Sequence, residues 1–317
     1  MTTFNSIKDV VSINDINNEL IHLLELLEEV NPCDQRYDVI NNSLVVSYFL
    51  KVNLFNFLGR MPLNVKAHII GLPISLSEKG YFGKADEVST IIKKKKGLKI
   101  VLNTDSDLGC SGRTLSTFIF NNKFDTFDDY KNKMRHPYRR RVNKALKHRE
   151  KLVIRELKNT DFSDAHYSLY RSIMTRTKNP LEVLNIEFFQ KHEAKMYEFL
   201  DKKTNRVMGF IQLMELKDTL VFMFCGFNIE DNDQFDLYYN MLLKIVEEGI
   251  ESGKKTINFG QTSEETKLKI GCIESQKYLG IYHSNILINK ALQLLLPIFS
   301  YKSYKVVHNV FKEDGIK

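Results

Sequence analysis

The amino-acid sequence predicts an α/β fold, with α+β character, that is divided into two halves. The chain has 317 residues, which exceeds one ordinary domain of about 100–200 residues. Short apolar runs with strand character alternate with amphipathic helical segments, a pattern typical of helices packed on sheets. Hydrophobic residues make up 43% of the chain and charged residues 27%, a globular composition that excludes a fully disordered protein.

The first half begins with a predicted helix over 13–30, where leucines recur at helical spacing before Asn31-Pro32 ends the segment. Apolar runs bounded by turn residues predict strands at 44–52, 67–70, 98–102 and 118–120, with a helix at 85–96. The turn-rich segment 71–83 contains Ser75 and Ser77. This segment either lines a substrate cleft or forms a structural surface loop.

A basic segment over 126–149 holds the densest block of cations in the chain. His136-Pro137 divides it, which places Arg139, Arg140, Arg141 and Lys144 in the first turns of a helix. The helix dipole disfavours cations there, so these residues are candidates for holding phosphates of a donor or an acceptor. A solvated helix face explains the same pattern. We take 1–122 as the first half, 123–150 as a basic connecting helix and 151–317 as the second half.

The second half has the clearer pattern of elements, and its central feature is a predicted hairpin of two long apolar strands joined at Lys217-Asp218. Its strands are predicted at 151–157, 197–200, 207–216, 219–227, 256–259 and 277–283. Its helices are predicted at 162–175, 186–195 and 235–251, with another before Gly271 and an apolar one from 286.

The turn after strand 256–259 provides the first candidate site, formed by Gln261, Thr262 and Lys267. Amide groups at a helix start together with a lysine can hold a carbonyl or a phosphate. Thr262 and Glu265 also have the spacing of a capping box, and a purely structural cap is an equally good interpretation.

Several segments of the chain resemble the GNAT acyltransferase superfamily. The basic run 139–147 followed by Leu152-Val153-Ile154 is similar to the helix and strand that open the second half of Fem-type peptidyl transferases. The hairpin motifs Val207-Met208-Gly209-Phe210-Ile211 and Leu220-Val221-Phe222 resemble that family's central hairpin. Asp236-Leu237-Tyr238-Tyr239, Asn258-Phe259-Gly260 and 267–271 look like its closing helix, strand and turn.

The resemblance covers about residues 125–285 and extends to BioF-associated acetyltransferase-like domains. It implies two GNAT-like halves packed around a cleft, with mixed central sheets flanked by helices. It also implies an N-acyltransferase or aminoacyl transferase in which an amine attacks an activated acyl donor directly. No cofactor is expected to be bound permanently. The co-substrate would be acyl-CoA or an acyl group borne by an acyl carrier protein or a tRNA, and the acceptor an amine-bearing small molecule or peptide.

One segment departs from the superfamily pattern. CoA-dependent members hold the CoA pyrophosphate with a glycine-containing loop after the hairpin, because backbone amides there attract anions. Here residues 228–234 contain three carboxylates and no glycine. The departure disfavours ordinary acetyl-CoA binding in that half and favours either another binding mode or a carrier-borne donor such as an aminoacyl-tRNA or an acyl carrier protein.

Three further residues are candidates for the site. Tyr238 and Tyr239 could protonate a leaving group or line an acyl tunnel, although core packing is the better interpretation. His283 ends a predicted strand and could act as a base, but a lone histidine at a strand end is more often structural. Lys267 matches a lysine that the family often carries.

Charge and cysteine usage limit the remaining functional classes. The formal net charge is +7, which is a weak indication of an anionic partner. A non-catalytic RNA-binding or partner-binding protein that uses the helix at 131–149 is therefore the alternative function. The cysteines have no metal-ligand spacing, so no metal site is predicted: Cys33, Cys110, Cys225 and Cys272. With neither a secretion signal nor a transmembrane segment recognised, we expect a cytoplasmic protein, with peripheral membrane contact of the C-terminal helix left open.

Overall fold

The structure, a computed structural model, describes residues 1–11, 13, 15–53, 64–104, 108, 112–176, 182–296, 300–301 and 306–312. Cys110 lies outside these residues. The strands are β1 (Thr2–Phe4), β2 (Arg36–Ile40), β3 (Ser43–Asn53), β4 (Asn64–Ile70), β5 (Tyr81–Phe82), β6 (Leu98–Thr104), β7 (Gly112–Arg113), β8 (Thr117–Asn121), β9 (Leu152–Glu156), β10 (Lys195–Asp201), β11 (Val207–Glu215), β12 (Thr219–Phe227), β13 (Thr256–Asn258), β14 (Ile273–Ser275) and β15 (Tyr278–His283). The α-helices are α1 (Asn18–Val30), α2 (Ala85–Lys94), α3 (Phe127–Lys133), α4 (His136–Arg149), α5 (Asp164–Met174), α6 (Ile186–Lys191), α7 (Ile229–Phe235), α8 (Leu237–Glu251), α9 (Glu264–Lys269) and α10 (Ile286–Leu295).

The chain forms two compact units, of which unit 1 comprises Met1–Ser116 and Gln276–Ser303. Its sheet has the order β1-β2-β3-β4-β6-β15-β7, with β5 paired to β3. The β4–β6 pair is parallel and the other pairs are antiparallel. Helix α2 buries Val88, Ile91 and Ile92 against one face of this sheet, because apolar residues recur every three or four positions along it.

Unit 2 comprises Thr117–Ser275 and Tyr304–Lys317. Its sheet has the order β14-β8-β13-β12-β11-β10-β9 and is antiparallel except for the β12–β13 pair. Helix α8 is buried along most of its length, and β11, β12 and β13 share its hydrophobic core. Helix α5 packs so closely on β12 that a Cβ at Gly226 would lie 2.6 Å from the backbone nitrogen of Tyr170.

The two mixed sheets flanked by helices confirm the predicted α/β fold class, and the hairpin of β11 and β12 confirms the central prediction for the second half. The units divide the chain differently from the predicted ranges. Strand β15 pairs with β6 and β7, so it belongs to unit 1, whereas β8 belongs to the sheet of unit 2. The basic segment forms α3 and α4, and α4 buries Val142 and Ala145 in the core of unit 2 rather than standing apart as a connector.

Two local predictions are wrong. The acidic segment 228–234 is not a loop, because residues 229–235 form the helix α7 with Asn228 as its N-cap. Helix α9 is not capped by Thr262 either. It begins at Glu264, and its N-cap is Ser263 with φ 52°, without a capping hydrogen bond from the side chain. None of the described helices is long and apolar enough to cross a membrane.

Candidate functional site

The sheet of unit 2 opens where β12 and β13 diverge. The two strands pair in parallel only from Thr219–Val221 to Thr256–Asn258. Beyond that point the chain after β13 bonds to β8, since Phe259 N–H donates to Phe118 O and Phe118 N–H donates to Gly260 O. The remainder of β12 therefore has no neighbour on that side among the described strands, which leaves a gap beside Phe222–Phe227.

Lys267 of α9 lies buried at this gap. Its side chain is 2% exposed, and its Nζ donates to the carbonyl oxygen of Gln261 at 2.6 Å. No described carboxylate forms an ion pair with it. Burial lowers the pKa of Lys267 to about 8, with Cys272, Cys225 and Glu264 opposing the shift. Lys267 is thus a buried amine that remains mostly protonated at pH 7.

The turn before α9 holds this arrangement through a strained backbone. Thr262 and Ser263 adopt φ values of 64° and 52°, in the left-handed region that side-chain-bearing residues rarely occupy. Such residues cost about 1–3 kcal/mol each and concentrate at functional sites. Here the strained turn places the Gln261 carbonyl against the ammonium of Lys267.

The thiols and the phenol nearest to Lys267 are neutral. Burial raises the pKa of Cys225 to about 12 and raises that of Cys272 further, so both thiols are protonated and poorly nucleophilic. Burial also raises the pKa of Tyr238, whose ring stacks on Phe227 at a centroid distance of 5.4 Å. Lys267 is therefore a buried cationic donor beside two neutral thiols and a neutral phenol.

A cavity of about 180 Å³ lies in the same part of unit 2. It is lined by Arg141 of α4, Asn232 and Asp236 near α7, Tyr238 and Tyr239 of α8, and Thr266 and Lys269 of α9. Tyr238, which lines this cavity, also interacts with Ser263 at the start of α9, the helix that carries Lys267.

Arg141 organises the cavity wall. Its Nη2 donates to Asp236 Oδ1 at 2.6 Å, and its guanidinium carbon lies 4.2 Å from the centroid of the Tyr239 ring. Arg141 Nη1 and Tyr239 Oη are buried without a hydrogen-bond partner among the described residues. Burial raises the pKa of Tyr239 to about 12, so its hydroxyl is a neutral donor. Two donors at one cavity fit an anionic or carbonyl-bearing ligand.

The structure brings together only part of the predicted site. Arg141, Tyr238 and Tyr239 line one cavity of unit 2, whereas Lys267 is not part of that lining and donates to the backbone carbonyl of Gln261. Arg139, Arg140 and Lys144 form no ion pair with a described residue and lie along α4; Arg140 and Lys144 are exposed.

His283, Ser75 and Ser77 belong to unit 1. His283 Nδ1 accepts the backbone N–H of Asn285, so the ring supports the turn before α10. Its role as a base remains a prediction. Roles for Ser75 and Ser77 remain predictions.

Asp236, Cys225 and Cys272 are site residues that sequence reasoning missed. The cysteines are distant in sequence from each other, and Asp236 stood out only as part of a resembling motif. Asp236 adopts φ 47° at the α7–α8 junction. Asp tolerates this left-handed conformation better than most residues do, and no other feature of the sequence predicts it at this position.

Comparisons with known proteins place the fold. No family model and no curated protein matches the sequence. Among solved structures, the C-terminal domain (DUF2156) of a putative lysylphosphatidylglycerol synthetase from Agrobacterium fabrum is similar, with TM-score 0.54 and 9% identity over 87% of this chain and 92% of that one. FemX is similar with TM-score 0.52 and 12% identity, over 82% and 90% of the two chains. L-PGS from Bacillus licheniformis has TM-score 0.51 and 14% identity, over 90% and 99%. At these identities the likeness shows the fold alone.

Proposed function

We propose that the protein is an acyl or aminoacyl transferase that forms an amide by direct attack of an amine on an activated acyl donor. The observation that carries the proposal is Lys267, a buried ammonium without an ion-pair partner among the described residues, at the gap between β12 and β13. A buried cation is costly unless a ligand or a transition state uses its charge.

In the proposed reaction the acyl carbonyl oxygen approaches the Nζ of Lys267. The amine attacks the carbonyl carbon, the new C–N bond forms, and the Lys267 ammonium donates a hydrogen bond to the developing oxyanion. The C–S or C–O bond to the carrier then breaks, the amine loses a proton, and the leaving group gains one. Because both thiols near Lys267 are protonated, a covalent cysteine intermediate is not part of this mechanism.

The donor is proposed to be carrier-borne. Helix α7 occupies the place of a glycine-containing phosphate loop and carries Glu230, Asp231 and Asp233, which repel a pyrophosphate. Arg206 neutralises Asp231 at 3.0 Å, which leaves the other two carboxylates. One similar structure is named for a lysyl group joined to phosphatidylglycerol, which supports aminoacyl transfer as the class of reaction.

The test is turnover with acyl-CoA, acyl carrier protein and aminoacyl-tRNA as donors against a set of amines. Lys267→Ala is expected to lower kcat by about 10²–10³, the usual effect of removing an oxyanion donor. Lys255→Ala is the control, since Lys255 is an exposed lysine of the same unit that pairs with Asp218 at 3.2 Å and does not line the cavity. Equal activity of the Lys267 variant and wild type, or no product from any donor, would remove the proposal.

A further inference from the structure

One face of the unit 1 sheet is apolar next to α2 and carries charged side chains farther along its strands. Next to α2 it is apolar, with Val45, Ile70 and Val101 in the core. Because side chains alternate between faces, the same face continues through Ser47 and Phe49 on β3 and through His68 and Lys66 on β4. The register pairs Phe49 with His68, and His68 with Lys99 of β6, so these residues point to one side.

The continuing part of this face is cationic. Arg36, Lys51 and Lys66 are exposed there, and we call these three residues with Phe49 the basic sheet face. Lys66 Nζ lies 3.9 Å from the centroid of the Phe49 ring, and the Arg36 guanidinium carbon lies 5.9 Å from it. None of the three cations forms an ion pair with a carboxylate in the described part of the chain.

Two buried lysines add positive charge behind the basic sheet face. Lys95 pairs with Asp38, the carboxylate that belongs to this side of the sheet, and also donates to Ser47 Oγ at 2.9 Å. Lys99 is 3% exposed, and among the described residues its Nζ donates to the carbonyl oxygen of Lys95 alone, at 3.0 Å. Asp38 is thereby neutralised internally, whereas Lys99 has no carboxylate partner in the part of the chain that the structure describes.

Neighbouring strands lie about 4.8 Å apart, so the two steps from β2 to β4 spread the three exposed cations over about 10 Å. Such an exposed array suits an extended polyanion better than a small ligand that needs enclosure. A lipid surface would require exposed apolar anchors beside the cations. Phe49 is instead half-buried, with Lys66 over its ring and His68 against it at a centroid distance of 4.1 Å.

We propose that the basic sheet face binds the phosphodiester backbone of a nucleic-acid strand. The contacts are made to phosphates by Arg36, Lys51 and Lys66, and they carry no base specificity. The inference needs only the geometry of unit 1 and does not depend on acyl transfer in unit 2.

Three phosphate contacts set the expected salt dependence. For a single strand, the slope of log K against log salt is about −0.7 per contact, or about −2 in total. Affinity should therefore fall about twentyfold between about 50 and 200 mM salt. The measurement is fluorescence anisotropy of a labelled oligouridylate of about 12 nucleotides with the full-length protein.

The double variant Arg36→Ala with Lys66→Ala should weaken binding at least about tenfold and make the slope shallower by about 1.4. Lys93→Ala with Lys94→Ala removes two exposed lysines of α2 in the same unit and should leave both quantities unchanged. Thermal unfolding followed by circular dichroism establishes that each variant is folded. Lys267→Ala should bind the oligonucleotide like wild type, which separates this result from any loss of transfer activity.

Three outcomes would overturn the inference. Equal losses in the two double variants would indicate a general charge effect. Loss only in Arg139→Ala with Arg140→Ala would move the binding to α4. Binding to vesicles of phosphatidylglycerol and phosphatidylcholine, without binding to the oligonucleotide, would assign the basic sheet face to a membrane surface.

Discussion

Replacing Lys267 by methionine, which removes the charge and keeps an unbranched side chain, is expected to stabilise the protein at neutral pH. A solvated lysine has a pKa near 10.5, and burial lowers that of Lys267 to about 8. Because of this difference in pKa, the charged, buried Lys267 lowers the free energy of unfolding by about 3 kcal/mol at pH 7. The methionine variant does not carry this penalty.

The same difference fixes the sign of the pH dependence. Between pH 8 and pH 10.5 the unfolded chain holds the proton on Lys267 more strongly than the folded chain does. The contribution of Lys267 to the free energy of unfolding therefore rises with pH across that window. Below pH 8 its full destabilising effect is present. At about pH 9.5 the advantage of the methionine variant should have shrunk by about 2 kcal/mol relative to pH 7.

The assay is urea denaturation of wild type and Lys267→Met at pH 7 and pH 9.5, followed by far-UV circular dichroism. Comparing the two proteins at the same pH removes the contribution to stability of the tyrosines and other groups that titrate in both proteins. Lys269→Met, at a half-exposed position of the same helix, should show no such change. A stability difference between wild type and Lys267→Met that stays constant with pH would refute a buried, pKa-lowered lysine.

Two further substitutions test the packing and the charge pairing of the units. Gly226→Ala should destabilise the protein by about 1–3 kcal/mol, because the added Cβ would lie 2.5 Å from the Phe210 ring and closer than 3 Å to the α5 backbone. In Gly71→Ala the nearest atom is 3.5 Å away, so thermal melting should show little change; equal losses at both glycines would contradict the close α5–β12 contact. Lys95→Met should cost about 3–5 kcal/mol, since it leaves the Asp38 carboxylate buried without its cation. Adding Asp38→Asn should restore part of that stability in urea denaturation, and a single variant as stable as wild type would show that the pair is not needed.

The elements that sequence reasoning located well are those whose signal is local. The hairpin of β11 and β12 follows from two long apolar runs around a two-residue polar turn, and α1 follows from leucines at helical spacing. Helix α7 was missed because Asn228 to Gln234 has no apolar periodicity. Its first turn is stabilised by Asn228 and the acidic residues at its N-terminus instead.

The candidate site shows the same limit. Lys267 was identifiable as a residue, but its partner is a backbone carbonyl whose direction depends on the φ values of Thr262 and Ser263. The approach of Arg141 to Asp236 joins positions 95 residues apart, and no local pattern encodes it. Strand β15 was predicted as a strand. Its pairing with β6 joins segments that are far apart in the sequence, and neither segment contains a local pattern that predicts the pairing.

The discontinuity of unit 1 has a consequence for protein synthesis. Strand β7 ends at Arg113, and its sheet partner β15 begins only at Tyr278, after nearly all of unit 2 has been translated. At about 5–20 residues per second, that delay is roughly 10 to 30 s. During this interval β6 and β7 lack their common neighbour, while the strands of the unit 2 sheet, from β8 to β14, are translated in one run. Unit 2 can therefore complete its sheet first, and a nascent chain stalled before Gln276 would present an unpaired β6 edge to other chains.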